Sequence, residues 1–375
     1  MTRLEVVEFD HDARMAREYL GLIGRVHADD RQWIAPLSRS TRAQLAPTHA
    51  FYRTPENRYR GFALRRGDRL VGHVLATVNK DLVDPAGKTG ALGFLEVEPD
   101  YELFRRLLEP AISWLQSAAD VRQIWATMNF DIWHSYRVMT RGFEEPAFFG
   151  EPRNGPWLPK FFEQLGFSVK KRWVSVTTSR EFLIGRAPHF RAQFESAVAD
   201  GYQFERLRLK DTEELDELCS AVGMALEEFD GYTPISRREF DSLVGAYLRF
   251  TGTELATVLR TPDSAFAGFN IAFPDPSEAL HKLAGHDDWL NRLRLLRRPP
   301  PHRVLQYMIG VLPQVRAARP GLGRALLYRT LQLILERGYE STIFALLAED
   351  SPARHFAMDQ VEIAEREYAL YQLAC

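Results

Sequence analysis

The sequence has little cysteine, almost no net charge and no long hydrophobic run. Its 375 residues include two cysteines, Cys219 and Cys375, too few for a disulfide framework or a cysteine-rich metal site. Lys and Arg total 48 and Asp and Glu total 50, a net charge of -2, so we expect no nucleic-acid partner and no membrane partner. No stretch reaches the roughly 18 apolar residues of a membrane helix, and the charged first residues predict no signal peptide. We therefore expect a cytoplasmic protein.

The phosphate motifs of the commonest nucleotide-binding folds are also missing. A Walker loop needs G-x-x-x-x-G-K-[ST], which the sequence does not contain. A Rossmann fingerprint needs a third glycine where Leu326 stands. The absence of both motifs therefore argues against a P-loop nucleotidase and against a dinucleotide-dependent dehydrogenase.

The first half of the chain has the pattern of a mixed α/β domain. The strand LEVVEF precedes a helix-like stretch, a hairpin turns at Gly67-Asp68, and TGALGFLEVE adds a third antiparallel strand. Leu103–Ala118 then predicts an amphipathic helix, kinked at Pro110, that crosses over to a parallel strand, QIWATMN. The helix WLPKFFEQLGF and the strand KKRWVSVTT end this half.

The second half repeats this order of elements at a nearly constant offset, which indicates an internal duplication. We infer an N-terminal domain at 1–180, a linker at 181–203 and a C-terminal domain at 204–375. The fold class is α/β (α+β), with a mixed, mostly antiparallel sheet flanked by helices in each domain. The matching pairs, 195 or 196 residues apart, are Asp68 and Asp263, Gly72 and Gly268, and Trp173 and Tyr368.

The connection from the fourth strand to the crossover helix differs between the two copies. Pro99 lies 8 residues before Leu107, whereas Pro313 lies 13 residues before the equivalent Leu326. The second copy therefore carries about five extra residues, within VRAARPGLG. The first copy lacks this loop, so we expect it to be degenerate, with a structural role or a role as a wall of the substrate cleft.

The longer connection has the composition of a phosphate site. Gly321 and Gly323 permit close approach of a ligand to the backbone, and the N–H groups of a helix start attract an anion. Arg316, Arg319 and Arg324 add charge-assisted donors. An ordinary Pro-Gly turn with solvated arginines is the structural alternative.

The segment YMIGVLPQVRAARPGLGRALL resembles the pyrophosphate-binding element of the GNAT superfamily of N-acetyltransferases, written Q/R-x-x-G-x-G/A after a strand that ends in V-x-P. Two longer stretches, around GFEEPAFFGEPRNGPW and FPDPSEALHKLAGHDDWL, resemble bacterial two-domain GNAT-like proteins of largely unknown function. The resemblance implies tandem GNAT domains that bind acetyl-CoA or another acyl-CoA in the second copy. The implied donor-binding residues are Gly310, Val311, Leu312, Arg316, Arg319, Gly321, Leu322, Gly323 and Arg324.

The sequence departs from the superfamily pattern at several positions. Ala318 stands three residues before Gly321, where the pattern has Gln or Arg, so Arg316 or Arg319 has to replace it. The usual glutamate base is missing, since Gln306 cannot take a proton and His302 lies near the strand start. Ala357 holds the place of the usual tyrosine.

Other residues are candidates for the missing chemistry. Tyr368 and Tyr371 on the last strand could donate a proton to the leaving thiolate, although packing is the alternative role. Glu227, Glu228 and Asp230 occupy the segment that, by resemblance, overhangs the acceptor site and suits an amine, although a solvated helix end explains them as well. We take Tyr368, Tyr371 and Glu227 as the catalytic candidates.

The insertion ALHKLAGHDDWLNRL predicts a helical lid. It contains His281, His286, Asp287 and Asp288, but scattered His and Asp residues on such a segment are usually surface groups, so we predict no metal there.

Three functions stay open at this point. The first is an acyl-CoA-dependent N-acyltransferase acting on a primary amine of a small molecule, with the C-terminal domain catalytic. The second is an acyltransferase that takes its acyl group from acyl carrier protein, and the third is a non-catalytic ligand sensor or scaffold. The sequence also leaves open whether the chain forms a homodimer.

Overall fold

The structure is a computed structural model that describes residues 3–10, 13–118, 121–286, 301–351, 354 and 366–375. Strands form where apolar and polar residues alternate or where a short run is wholly apolar, and helices form where apolar residues recur every three to four positions. The strands are β1 Leu4–Phe9, β2 Arg58–Arg66, β3 Arg69–Val78, β4 Val83–Asp84, β5 Gly87–Val97, β6 Gln123–Ala126, β7 Val138–Arg141, β8 Ser168–Ser179, β9 Gln203–Arg206, β10 Thr257–Arg260, β11 Phe266–Pro274, β12 Arg303–Val311, β13 Ser341–Ala348 and β14 Arg366–Ala374.

The helices lie between these strands in both halves. A π-helical turn at Asp241–Gly245 joins two short helices in the second half. The α-helices are α1 Ala13–Val26, α2 Ser38–Gln44, α3 Ala50–Arg53, α4 Tyr101–Ala118, α5 Leu158–Gln164, α6 Arg180–Arg186, α7 Pro188–Ala199, α8 Thr212–Leu226, α9 Arg237–Phe240, α10 Ala246–Thr251, α11 Ser277–Leu283, α12 Pro313–Ala318 and α13 Leu322–Glu336.

The strands join into one mixed sheet of 14 strands. Its order is β1-β2-β3-β5-β6-β14-β8-β13-β12-β11-β10-β9, with β4 on β5 and β7 on β14. Among the described strands, the parallel pairs are β5 with β6 and β12 with β13, and each is connected by a crossover helix, α4 or α13. The expected α/β class, with a mixed and mostly antiparallel sheet flanked by helices, is therefore confirmed.

Corresponding hydrogen bonds show the internal repeat directly. The N–H of Glu98 donates to the carbonyl of Val71 at 3.0 Å, and the N–H of Leu312 donates to the carbonyl of Ala267 at 2.9 Å. In each half this bond ends the pairing of two antiparallel strands, β3 with β5 or β11 with β12, just before the connection to the crossover helix. The two halves therefore share backbone geometry up to the connection in which their lengths differ.

The two halves exchange their final strands. β14, the last strand of the second half, lies between β6 and β8 and pairs Tyr371 with Ala126 and Tyr368 with Trp173. β8, the last strand of the first half, also pairs with β13 of the second half. The predicted domain boundaries stay a prediction, and the sheet adds to them a pairing across the two halves that the sequence did not indicate.

The predicted linker is helical and packs on the second half. α6 and α7 cover most of 181–203, and the ring of Phe194 on α7 lies 5.2 Å from the ring of Tyr328 on α13. Ala197 on the same helix is fully buried. The linker helix thereby fixes the position of α13 and of the connection that precedes it.

The helices of the described ranges are all too short or too polar to cross a bilayer. α4, the longest of them, packs Phe104 and Leu107 into the first-half core and keeps Pro110 within its helical span. Its opposite face carries ion pairs between Glu102 and the arginines at 105 and 106.

Candidate functional site

The fourth and fifth strands of the second half run side by side only at their start. Parallel pairing joins Arg303–Gln306 of β12 to Ser341–Phe344 of β13 and then stops. On its other edge β12 stays paired with β11 as far as Val311. Among the described residues, the last five residues of β12 therefore have a sheet partner on one edge only, while the edge toward β13 opens into a gap between the strands.

The hydrogen-bond register decides which backbone groups face this gap. Because Leu312 donates to Ala267, and successive residues of an antiparallel strand point their N–H and C=O groups to opposite edges, Leu312 and Gly310 face β11. The backbone groups of Val311 and Ile309 face the gap. Of the three strand residues that the resemblance implied, Val311 therefore faces the gap, whereas Gly310 and Leu312 face β11. Ile309 also faces the gap, which the sequence did not indicate because it does not show register, and donor binding by these residues stays a prediction.

The gap leads to the start of α13. Gly321 precedes this helix in the left-handed region, at a φ of 95°, and no side chain in the described part of the chain caps the helix. The first N–H groups of an α-helix have no acceptor within the helix, and the helix dipole adds a partial positive charge there. A Cβ placed on Gly323 would meet no atom within 4 Å, so the first turn of α13 presents an open backbone surface.

The extra residues of the second copy form a short helix rather than an open loop. α12 spans Pro313–Ala318, and Arg319 ends it. The guanidinium of Arg319 donates to the carboxylate of Asp200 at 2.8 Å, to the hydroxyl of Ser196 at 2.7 Å and to the carbonyl of Pro320 at 2.9 Å. Arg319 therefore anchors the connection to the linker, while the exposed arginines near the helix start are Arg316 and Arg324.

The equivalent helix start in the first half already holds an anion. The carboxylate of Asp100 accepts hydrogen bonds from the N–H groups of Glu102, at 2.8 Å, and Leu103, at 3.1 Å. Glu98, two residues earlier, is paired with Arg69 at 2.6 Å and with Arg66 at 3.6 Å. A phosphate at this position would meet the carboxylate of Asp100 in place of free N–H groups. The absence of a pyrophosphate site from the first copy stays a prediction.

The gap between β5 and β6 in the first half is closed by protein. Asn129 accepts the N–H of Phe94 with its side-chain oxygen at 2.6 Å, and a Cβ on Gly93 would come within 2.3 Å of the carbonyl of Met128. What remains is a cavity of about 90 Å³, which is lined by residues of β5, the loop after β6 and the 152–158 segment. This volume is below the roughly 300–1,000 Å³ of typical ligand pockets.

One wall of this cavity is formed by Arg137, whose backbone has a φ of 83°. Its guanidinium lies 3.8 Å from the ring centroid of Tyr136 and 4.5 Å from that of Trp173, and it donates to the hydroxyl of Tyr136. Burial lowers the pKa of Arg137, whereas the charges of Tyr136, Tyr307 and Tyr368 would raise this pKa. Arg137 thus lines the first-half cavity and packs against Trp173 of β8, a position that the sequence did not reveal.

The two predicted tyrosines point into the protein interior. Tyr368 is fully buried and donates its hydroxyl to Glu151, and burial together with the Glu151 charge raises its pKa well above the ordinary value. Tyr371 donates to Glu163 at 3.3 Å, and burial followed by the Glu163 charge raises its pKa to about 12. Their role as proton donors stays a prediction.

Glu151 is a buried carboxylate that sequence reasoning missed. Its Oε1 lies 3.2 Å from Nε of Arg366, and both side chains are 1% exposed. Burial raises the pKa of Glu151, while Arg366 and Tyr368 lower it. The sequence could indicate Glu151 only by its position inside FFGEPRNGPW, because its side-chain partners Arg366 and Tyr368 lie more than 200 residues away in sequence.

The acidic segment after α8 lies against the first half. Glu227 and Glu228 are exposed, whereas Asp230 lies 3.3 Å from the ammonium of Lys170 and 3.5 Å from that of Lys171, both on β8. Glu227 is therefore accessible to a ligand, and Asp230 contributes to docking of the two halves.

The remaining predicted positions lie apart from the gap or outside the described residues. The ring of His281 bonds the carbonyl of Arg31 at 2.9 Å, and His302 is exposed beside Glu340. Gln306 donates to Asn270 at 2.5 Å in the interior. Asp287, Asp288 and Ala357 lie outside the described residues.

No protein-family model matches the sequence. A bacterial ceramide synthase of Caulobacter vibrioides (strain NA1000 / CB15N) is 22% identical over 287 residues, which span 75% of this chain and 73% of that protein.

Solved structures are similar over nearly the full length of the chain. A tandem GNAT protein from the clavulanic acid biosynthesis pathway aligns with a TM-score of 0.53 at 15% identity, over 99% of this chain and 98% of that one. A GCN5-related N-acetyltransferase from Sphaerobacter thermophilus aligns with a TM-score of 0.51 at 11% identity, over 98% and 95%. The structural comparison confirms that the chain resembles the GNAT superfamily and has its fold in the tandem form.

Proposed function

We propose that the chain is an acyl-CoA-dependent N-acyltransferase whose second half binds the donor. The observation that carries this proposal is the free edge of β12, which leads directly to the uncapped start of α13. The equivalent route in the first half is closed by Asn129 and ends at the carboxylate of Asp100.

Each part of a CoA thioester has a matching feature on this route. The amide groups of the pantetheine arm can pair with the backbone of Ile309 and Val311 as an added strand does. The pyrophosphate fits the N–H groups at the start of α13, where Arg316 and Arg324 add positive charge. A backbone N–H that faces the gap can also polarise the thioester carbonyl and stabilise the oxyanion that forms when an amine attacks.

The acceptor is proposed to be the primary amine of a long-chain amino alcohol. Support comes from the ceramide synthase that is 22% identical, since a ceramide is the amide of a fatty acid with such an amine. The exposed carboxylate of Glu227 suits an ammonium group at the approach to the site. Acetyl-CoA, longer acyl-CoAs and an acyl carrier protein are the donors to be compared.

The test is calorimetric titration of the full chain with acetyl-CoA and with palmitoyl-CoA. We expect micromolar binding of at least one thioester, and we expect Gly323→Val to weaken it by at least about tenfold, or about 1.4 kcal/mol. Because a Cβ at Gly323 contacts no protein atom, a loss of binding reports on the ligand. Gly185→Val is the matched control, since this helical glycine of the linker is equally open.

A second arm incubates each donor with sphinganine and follows the amide product by mass spectrometry. Binding of neither thioester would overturn the CoA proposal, and transfer only from an acyl carrier protein would replace CoA by that donor. Binding without any transfer to sphinganine or to shorter amines would favour the sensor or scaffold function.

A further inference from the structure

Two histidines and one glutamate meet where the two halves touch. His49 precedes α3, His134 lies in the loop after β6, and Glu239 lies on α9 of the second half. Each offers one nitrogen or oxygen atom, and these three atoms all lie within 4.8 Å of one another. We refer to His49, His134 and Glu239 as the His–Glu cluster.

His134 is oriented as a metal-binding histidine is. Its Nδ1 lies 2.7 Å from Oδ1 of Asp131, and the other oxygen of Asp131 accepts the hydroxyl of Thr233 at 3.0 Å. The side chain of His134 is 1% exposed, and its buried Nε2 has no hydrogen-bond partner among the described residues. A carboxylate that holds one ring nitrogen and leaves the other available is the usual support of a metal-ligating histidine.

One side of the cluster is apolar. The ring of Phe130 stacks on His49 at 5.1 Å and meets His134 edge-on at 5.1 Å. A carboxylate and an unpartnered imidazole nitrogen in such a place are both stabilised by a bound cation.

We propose that His49, His134 and Glu239 bind a divalent transition-metal ion, with Zn²⁺ as the best match. Two imidazole nitrogens and one carboxylate suit Zn²⁺ and disfavour Mg²⁺ and Ca²⁺, which prefer oxygen ligands. Tetrahedral zinc holds its ligand atoms roughly 3.4 Å apart, so small side-chain rotations close the site. Three protein ligands leave a fourth position for water or substrate.

The site would also join the two halves of the chain. Two ligands come from the first half, and Glu239 follows the acidic segment of the second half. The N–H of Ile132 donates to the carbonyl of Gly231 at 3.1 Å, so the loop that carries His134 is already in contact with that segment. This proposal is independent of the identity of the acyl donor.

The test is a titration of the chelator-treated full chain with Co²⁺, followed by its visible absorption and by displacement with Zn²⁺. We expect one equivalent to bind, with the intense bands of four- or five-coordinate cobalt. Glu239→Gln, which preserves side-chain size, and His134→Ala should remove these bands. Asp131→Asn should weaken binding by about 10- to 100-fold, because it alters the support of His134.

His281→Ala is the matched control, since His281 bonds a backbone carbonyl outside the cluster and should leave the titration unchanged. Circular dichroism of each variant checks that the fold is intact. Absence of stoichiometric Co²⁺ and Zn²⁺ binding to the wild-type chain, or unchanged binding by a folded Glu239→Gln variant, would overturn the proposal.

Discussion

At the start of each crossover helix, one residue sets the local charge. Asp100 places a carboxylate on the first N–H groups of α4, whereas Gly321 leaves those of α13 uncapped. The contrast follows directly from the residue types, but the sequence analysis used only the longer connection and its glycines, and the phosphate site of the second half stays a prediction. Arg319 was harder to assign, because its partners Asp200 and Ser196 lie about 120 residues earlier in the chain.

The substitution Tyr368→Phe tests a buried hydrogen bond. The hydroxyl of Tyr368 donates to Glu151, whose carboxylate is 1% exposed, so its removal leaves a buried acceptor short of a donor. We expect the free energy of unfolding to fall by about 1–3 kcal/mol, measured by urea denaturation. An unchanged stability would show that water or Arg366 replaces the hydroxyl.

The same variant also tests the predicted role of Tyr368 as a proton donor. Acyl transfer by Tyr368→Phe, measured well below its melting temperature, separates a proton donor from a packed side chain. A strong loss of kcat with an unchanged KM would support the proton-donor prediction, and an unchanged kcat would remove it.

Among the elements, local signals were sufficient for hairpins and helices. β2 ends at Arg66 and β3 begins at Arg69, so the turn at Gly67-Asp68 lies where the sequence predicted it, with Gly67 at a φ of 62°. The extra residues before α13 were located correctly, but their helical form was not predicted. Pro313 at a helix start was the available signal.

The pair of Asp30 and Arg153 ties the end of α1 to the segment that closes the first-half cavity. Nε and a terminal nitrogen of Arg153 lie 2.5 and 2.9 Å from the two carboxylate oxygens of Asp30. Burial alone would raise the pKa of Asp30, but the hydrogen bonds from Arg153 and the N–H of Gln32 lower it below its ordinary value. A lowered pKa in the folded state means that this pair stabilises the protein above about pH 4.

We therefore expect Asp30→Asn to be less stable than the wild type at pH 6. The difference should shrink as the pH falls from about 4 through the lowered pKa of Asp30, because protonation then removes the pair from the wild type as well. Urea denaturation of both proteins at a series of pH values measures this difference in the free energy of unfolding. Asp29→Asn, at the exposed neighbouring position, serves as the control. A difference in stability between Asp30→Asn and the wild type that does not change with pH would contradict the lowered pKa of Asp30.

At the scale of the whole molecule, duplication could be predicted from sequence but the exchange of strands could not. The offset between Trp173 and Tyr368 revealed that β8 and β14 are equivalent. Strands that are equivalent in the two copies have the same pattern of apolar residues. That pattern therefore does not predict in which half of the sheet each strand pairs. The pairing is decided by the tertiary fold, where Tyr371 meets Ala126.

The exchange predicts that neither half folds alone. A fragment of residues 1–203 would expose one edge of β6 and both edges of much of β8, which favours aggregation. We expect this fragment to be insoluble by itself and to form a soluble complex when it is produced together with residues 204–375. Size-exclusion chromatography measures both outcomes, and a monomeric, folded 1–203 fragment would contradict the prediction.

The exchanged strands also bear on how the gene can change over time. After a duplication, a copy that no longer contributes chemistry can ordinarily be deleted. Here, deletion of the first copy would also remove β8, and the sheet of the second copy would end at β13. Selection on one copy would therefore preserve the other, even when the start of its crossover helix is occupied by its own carboxylate.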